Sequence, residues 1–350
     1  MSSGKTERLA GPEGVKRAAE ILCAGGTVAF PTETVYGLGA NALDATAVAK
    51  IFAAKERPGW DPVIAHVSDR AMVDRVAEVP AGAERLMEAF WPGPLTILLP
   101  RVSAVPDSVT AGRPLVGVRM PRHELALALI REAGVPLAAP SANRFGRTSP
   151  TSAAHVLEDL DGRIDAVLDG GSTEVGVEST VIGPSENGAE WVIYRPGGIS
   201  KEVLEGVLGV GSVTVFQPVE RVGDDSAPES LPSPGVGIRH YAPRARLMLV
   251  GEPSKRRGPV ELSLIEAIDE LPEPPGAVGV MLPDGWDAAG AALVFPWGQW
   301  GDGEALARRM FAGLRELDEA GAEVIVCPVP EMGGIGEAIR DRLRKAAREK

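Results

Sequence analysis

Apolar residues recur at helical spacing across residues 12–24, at Val15, Ala18, Ala19, Ile21 and Leu22, and the run stops at Gly25-Gly26. That pattern predicts a helix closed by glycine. The short apolar run from Thr27 to Phe30 predicts a strand, and Pro31 ends it because proline donates nothing to a sheet ladder. The same periodicities predict helices over residues 46–54, 81–90, 124–132 and 152–160. They predict strands over 63–67, 95–99, 115–120, 137–139, 166–168, 179–182 and 191–194. Helices and strands interleave throughout residues 1–210, which argues for an α/β class. The strands are short and many connections long, so a twisted, mixed sheet is expected rather than a regular doubly wound one.

The pattern breaks between Val219 and Ala245, where Pro, Gly, Ser and charge crowd together, and this stretch reads as a linker. Beyond it, strands are predicted over 247–250, 277–281 and 324–327, with helices over 304–317 and 336–347. A second, smaller α/β domain of roughly 100 residues is a workable size for an independent fold. The expected division is a domain over 1–210, a linker over 211–245 and a domain over 246–350. A chain of 350 residues, 44% hydrophobic, has enough apolar material for both.

The net charge of −12 argues against general affinity for nucleic acid or an acidic membrane. Between residues 101 and 150, however, seven arginines face three acidic residues, a local excess that suits a nucleotide better than a polymer. Cys23 and Cys327 fall in different predicted domains, which argues for a reducing compartment over a disulfide framework. The opening MSSGKTERLA has no apolar signal core, and no run approaches the ~18–20 apolar residues that span a bilayer. The expectation is a soluble, cytoplasmic protein without a membrane partner.

Polar groups gather where predicted strands end. Thr32, Glu33 and Thr34 follow Pro31, the kind of position where α/β enzymes place chemistry. Gly37 and Gly39 next in line let the backbone approach a ligand. KERPGWDP (55–62) sets Lys55 and Arg57 on a proline-stiffened loop, suited to a polyphosphate or simply to a solvated helix end. His66, within VIAHV, is either a packed core residue or a ligand contact. In VGVRMPRH, strand alternation puts Leu115, Gly117 and Arg119 on one face, and an inward arginine needs a carboxylate, from substrate or protein. Arg122 and His123 read as surface residues, and WPGPLT (91–96) as a structural turn.

The densest polar cluster is APSANRFGRTSPT (139–151), with Ser141, Asn143, Arg147, Thr148, Ser149 and Thr151 between a strand and a helix. It offers hydroxyls, an amide, a cation and free N–H groups to phosphates, beyond the one residue, Thr151 or Ser152, needed as a helix cap. GVESTVIG (176–183) carries Glu178, Ser179 and Thr180 into a strand, and YRPGGIS places Arg195 at a strand end. PGVGIRHYAP (234–243) puts Arg239, His240 and Tyr241 in a row, unusual for a spacer. GLGANA matches a lax dinucleotide fingerprint, but the predicted strand ends six residues too early for it. No P-loop and no zinc spacing occurs.

In the order PTETVYGLGAN, K-x-R-P, WPGPLT, VGVRMPRH, SANRFGRTSPT and RHYAP, these motifs resemble the YrdC/Sua5 family across nearly the whole chain. The resemblance implies a YrdC-like twisted mixed sheet with helices, followed by a smaller, Rossmann-like Sua5 domain. It implies formation of L-threonylcarbamoyl-AMP from L-threonine, bicarbonate and ATP with release of pyrophosphate, a Sua5-type nucleotidyltransferase reaction. A tRNA threonylcarbamoyl transferase complex would use the product beside the anticodon, and no stable direct tRNA binding is expected. By the same resemblance, Lys55 and Arg57 are catalytic. Arg57, Asp61, Leu115, Ser141, Asn143, Ser149, Arg195 and Tyr241 bind ATP, which brings Mg²⁺ bridging its phosphates. Thr34, His66, Arg119, Ala139 and Ser179 bind L-threonine, Ala139 and Leu115 through backbone atoms. No residue is expected to ligate a resident metal. The linker becomes a lid over the active site.

Departures stand out at Asp61, where the family has Asn, at Val63, where it has Leu, and at Val236 and Ile238, where it has Met and an aromatic. No nucleophilic triad is visible and none is needed, since positioning and charge stabilisation carry phosphoryl-type transfer. Two other readings stay open on sequence: a carbamoyl-AMP-forming module of a carbamoyltransferase, which normally carries large extra domains, and a non-catalytic RNA-binding protein, which the acidic balance disfavours.

Overall fold

The first predicted helix forms as Gly11–Cys23, with a proline in its first turn, Glu13 beside the free N–H groups, and Val15, Ala18, Ala19, Ile21 and Leu22 buried. Gly25, at φ +75°, then turns the chain away, a conformation that glycine adopts without cost. Leu22, fully buried, contributes roughly 1.5–3 kcal/mol by leaving water. The helix Ala45–Lys55 starts where the Asp44 carboxylate accepts from the N–H groups of Thr46 and Ala47, and it ends at Glu56 in a left-handed conformation. Ser152, one of the two residues expected as a cap, accepts from the His155 N–H at the start of the helix Ala153–Leu160.

The structure, a computed structural model, describes residues 4–185, 190–217, 240–252 and 259–348. These divide into two compact units. One takes residues 4–145, 150–174, 178–185 and 190–217; the other takes 146–149, 175–177, 240–252 and 259–348.

Eleven strands make the sheet of the first unit: β1 (Glu7–Ala10), β2 (Val28–Phe30), β3 (Gly37–Asn41), β4 (Ile64–His66), β5 (Leu95–Pro100), β6 (Leu115–Arg119), β7 (Leu137–Ala138), β8 (Ala166–Asp169), β9 (Thr180–Pro184), β10 (Trp191–Arg195) and β11 (Val213–Val215). Their order is β1-β8-β2-β3-β7-β4-β6-β5-β9-β10-β11. Parallel and antiparallel pairs mix, as expected: β4 and β6 are parallel, with His66 opposite Arg119, and β5 and β6 antiparallel. The sheet's interior strands are buried along almost their whole length, so they read as continuous apolar runs.

The second unit is a parallel sheet of β12 (Arg246–Val250), β13 (Val278–Pro283), β14 (Leu293–Gly298) and β15 (Val324–Pro328), in the order β12-β15-β13-β14. The helices Val260–Asp269, Gly303–Glu319 and Gly336–Ala346 accompany it. Trp297, fully buried, donates its indole N–H to the Leu306 carbonyl at 2.8 Å. Cys327 lies fully buried within β15, and burial pushes its thiol well above the usual range.

Periodicity did not predict β1, β3, β11, β14 or the helices Lys201–Leu208 and Val260–Asp269. β3 is the instructive case. Its glycines make room for the core: a Cβ on Gly39 would sit 2.8 Å from the Phe30 ring, and one on Gly37 would sit 3.3 Å from the Ala139 Cβ. Of the expected linker, residues 218–239 lie outside the described residues, among them Val236, Ile238 and Arg239.

Two glycines of the first unit should respond oppositely to alanine. A Cβ on Gly197 would lie 2.2 Å from the Thr180 nitrogen and 2.5 Å from the Ser179 carbonyl carbon, backbone atoms that cannot swing aside. Gly206, inside the helix Lys201–Leu208, has no atom within 4 Å of that position. Gly197→Ala should therefore cost about 1–3 kcal/mol or more, and Gly206→Ala should add about 0.5–1 kcal/mol through helix propensity. Urea denaturation of both variants checks this; equal midpoints would contradict the close approach at Gly197.

Candidate active site

Lys55 closes its helix by reaching into the polar cluster. Its ammonium donates to the Ser141 carbonyl at 2.6 Å and to the Asn143 carbonyl, while the Lys55 carbonyl accepts from the Phe145 N–H at 2.8 Å. Burial, and then the nearby Arg57, hold the Lys55 pKa well below its ordinary value. The side chain expected to touch phosphate thus spends two of its three N–H donors on shaping the 141–143 loop. Ser141 is further tied to Gly37 by an isolated bridge, and the Asn143 amide donates to the Arg144 carbonyl at 2.8 Å.

Arg57 and Asp61 form a buried pair at 2.9 Å, and Arg57 also donates to the carbonyls of Asp61 (3.1 Å) and Pro62 (2.8 Å). Burial raises the Asp61 pKa, and the charges of Arg57, Lys55 and Arg195 oppose that rise. Three cations therefore converge electrostatically on one carboxylate, whose Oδ1 has no hydrogen-bond partner among the described residues. Arg195 is itself fastened to Ser179, donating to its carbonyl (3.0 and 3.1 Å) and its hydroxyl (3.1 Å). The Ser179 hydroxyl lies 2.8 Å from that of Thr96. The departure from the family pattern at residue 61 thus becomes an internal counter-ion for the cation cluster.

Arg119 organises a second cluster. Its Nε donates to the Gly93 carbonyl at 3.2 Å and its Nη1 to the Thr34 hydroxyl at 2.9 Å, while its Nη2 lies 2.7 Å from Glu33. The last contact is close but poorly aligned. Neither Glu33 oxygen, nor Nη2, makes a hydrogen bond among the described residues, although Glu33 and Arg119 are both buried. The turn WPGPLT does more than pack, since its Gly93 carbonyl aims the guanidinium. Thr32 donates to the Val35 carbonyl at 2.7 Å and sits 2.9 Å from the Thr34 hydroxyl. With the Thr32 proton used, Thr34 is the donor of that pair and accepts from Arg119.

His66 stands beside Arg119 in register, buried, edge-on to Phe30 with ring centroids 5.9 Å apart. Burial, reinforced by the Arg119 charge, pushes its pKa down to about 3. It is a neutral imidazole whose Nδ1 has no partner among the described residues. It packs in the core, as one of the two readings expects, and presents a neutral polar edge.

Leu115 and Arg119 begin and end β6, about 13 Å apart at the usual strand rise. Ala139 follows β7 and donates to the Ile64 carbonyl at 2.8 Å. Ser149 and Tyr241 belong to the second unit. Ser149 is fully buried there, and Tyr241, at φ +66°, stacks on Phe311 at 5.8 Å with the Arg342 guanidinium 5.3 Å from its ring. His123, expected at the surface, is half-buried against Gly170 and within electrostatic reach of Glu33. Glu33 and His123 are the residues that the sequence did not assign. The position of Glu33 between two threonines after a proline-ended strand was the available signal. Among the described residues no group of three or more His, Cys, Asp or Glu side chains is arranged to hold a metal ion, and no helix is long and apolar enough to cross a membrane.

A Sua5/YciO/YrdC family model, described as telomere recombination, matches residues 20–197. A second, described as threonylcarbamoyl-AMP synthase, C-terminal domain, matches residues 199–348. The threonylcarbamoyl-AMP synthase of Pyrococcus abyssi is 44% identical over 95% of this chain and 94% of its own, and that of Bacillus subtilis 42% identical over 95% and 92%. The crystal structure of P. abyssi Sua5 complexed with L-threonine superposes with a TM-score of 0.84 at 41% identity, covering 98% of this chain and 97% of that one. This chain belongs to the YrdC/Sua5 family, in its two-domain, Sua5-type threonylcarbamoyl-AMP synthase form.

Because the folded state keeps His66 neutral down to about pH 3, the unfolded chain binds one more proton between about pH 6.5 and 3. The contribution is fully present above the unfolded pKa and is lost as pH falls through this window. At pH 5 the loss from this residue is about 2 kcal/mol. His66→Gln should lower stability at pH 7 yet fall less steeply than the native chain between pH 7 and pH 5. Identical slopes in urea titrations at the two pH values would show that His66 is not held neutral.

Proposed function

We propose that this chain makes L-threonylcarbamoyl-AMP from L-threonine, bicarbonate and ATP, releasing pyrophosphate. The observation that carries the reading is the presence, in one unit, of two differently built buried cationic sites joined through Ser179 and the Gly93–Thr96 turn. One is a planar guanidinium, Arg119, whose Nη2 makes no hydrogen bond among the described residues; it fits a carboxylate. The other gathers Lys55, Arg57 and Arg195 around Asp61 and fits a polyphosphate. The threonine-bound Pyrococcus relative supports L-threonine as the acid taken at the first site.

In this reading Arg119, Thr34 and Ser179 bind threonine, with neutral His66 and the backbone of Ala139 beside it. Arg57 and Arg195 bind the ATP phosphates, with Leu115, Ser141 and Asn143 supplying polar backbone and side-chain contacts. Lys55 acts by holding the 141–143 loop. Asp61, whose Oδ1 has no hydrogen-bond partner among the described residues, fits a Mg²⁺ that arrives with ATP, a metal usually bound through one or two carboxylates plus phosphate oxygens; it would neutralise phosphate charge. Catalysis then rests on orientation, on the order of 7–11 kcal/mol when two reactants are held in line. The adenylate would pass to a tRNA threonylcarbamoyl transferase complex in the cytoplasm.

Release of pyrophosphate from ATP should require threonine and bicarbonate together, with the adenylate detected by mass spectrometry. ATP turnover indifferent to threonine would remove the proposal. Arg119→Lys keeps the charge but loses the fork, so the threonine KM should rise at least tenfold while the ATP KM stays within about twofold, since a charge-assisted contact is worth roughly 1.5–3 kcal/mol.

A further inference from the structure

Glu33 and Arg119 present an unusual pair of unfilled valences. The two buried groups touch at 2.7 Å, yet among the described residues the carboxylate receives no aligned hydrogen bond at either oxygen, and Nη2 of the guanidinium makes none. A buried ion pair is stabilising only when further hydrogen bonds satisfy its remaining donors and acceptors. Here they are not supplied by the described residues around Glu33: Thr32 spends its proton on the Val35 carbonyl, and the Thr34 hydroxyl faces Thr32 and Arg119. His123, half-buried, lies within electrostatic reach of Glu33 but gives it no hydrogen bond. Complementary chemistry would satisfy both groups at once: an anion for the fork and a cation for the carboxylate, close together. A zwitterionic α-amino acid carries that arrangement, its ammonium two bonds from its carboxylate carbon.

We propose that Glu33 binds the α-ammonium of the amino-acid substrate and takes its proton before the carbamate forms. The inference rests on the reading of Arg119 as the carboxylate site. The step balances. The ammonium N–H bond breaks and its proton moves to the Glu33 carboxylate, leaving the amine lone pair. That pair attacks the bicarbonate carbon, the C–N bond forms, a C–O bond breaks, and the departing hydroxide takes the second N–H proton to leave as water: RNH2 + HCO3− gives RNHCOO− + H2O. The proton stays on Glu33 until solvent re-enters with product release. An amine kept as ammonium cannot attack, so Glu33 acts in binding and in the chemical step. Arg119 supplies the reason for the site's form: it places a positive charge beside the buried carboxylate without occupying its acceptor oxygens.

The test is calorimetric binding of L-threonine and of its 2,3-dihydroxybutanoate counterpart, in which a hydroxyl replaces the amine, to the full-length native chain, Glu33→Gln and Glu33→Asp. The native chain should prefer threonine at least tenfold. Glu33→Gln should lose that preference, with threonine weakened at least tenfold and the dihydroxy acid changed less than threefold. Glu33→Asp should keep part of the preference. Adenylate synthesis by Glu33→Gln should fall in kcat even at saturating threonine. If Glu33→Gln weakens both ligands equally, Glu33 only supports Arg119 and the inference is wrong. It is equally wrong, without any variant, if the native chain binds the two acids equally while still making the adenylate from threonine. A native chain that binds neither acid overturns the threonine reading itself and Glu33's role with it.

Discussion

Much of this site depends on one buried ammonium. Lys55 leaves the end of its helix and ties the carbonyls of Ser141 and Asn143, while its own carbonyl takes the Phe145 N–H, so helix and loop are stitched from both sides. An ammonium taken out of water is costly unless its donors are used, and the lowered pKa of Lys55 records that cost. The compensation is local order: the loop after β7 is held against the helix, Gly37 bridges to Ser141, and Ala139 stays on Ile64. A side chain at residue 55 with no N–H donor within reach would leave the buried Asn143 carbonyl without its Lys55 partner, a penalty of about 1–3 kcal/mol.

Around that stitch three cations surround one anion, Asp61, while Arg119 in the second cluster is matched one to one by Glu33. Asp61 holds Arg57 and tempers the field of Lys55 and Arg195, and Glu33 does the same for Arg119. A cluster of bare buried cations would repel itself apart. Asp61 holds the first cluster together while leaving net positive potential there for an anionic ligand. Ser179 links the two clusters through hydrogen bonds to Arg195 and Thr96, so the two are held at fixed separation by short, buried contacts.

The interleaved helices and strands were legible because burial imposes periodicity: Val15, Ala18, Ala19 and Leu22 face one way on one helix, and Asp44 and Ser152 mark helix starts with side chains that cap them. β3 was not legible, because its glycines answer to the Phe30 ring, a contact that no local pattern displays. The cations Arg57, Arg119 and Arg195 were visible as arginines at loop and strand ends. What they are bound to was not, since Gly93, Ser179 and Glu33 come from distant parts of the chain and only the sheet order brings them together. His123 was misjudged for the same reason: its neighbours Gly170 and Glu33 are remote in sequence. Tyr241 was legible as an unusual aromatic and not as a residue stacked on Phe311.

The two thiols have sharply different environments. Cys327 is sealed inside β15, its thiolate suppressed by burial, whereas Cys23 sits exposed at the end of the first helix. Alkylating reagents act on the thiolate, so in the native chain they are directed to one sulfur in the first unit. The second sulfur becomes reactive only when the parallel sheet around it opens. The chain therefore carries a built-in clock for local opening: the first equivalent of label counts molecules, and the rate of the second reports how often the C-terminal sheet comes apart.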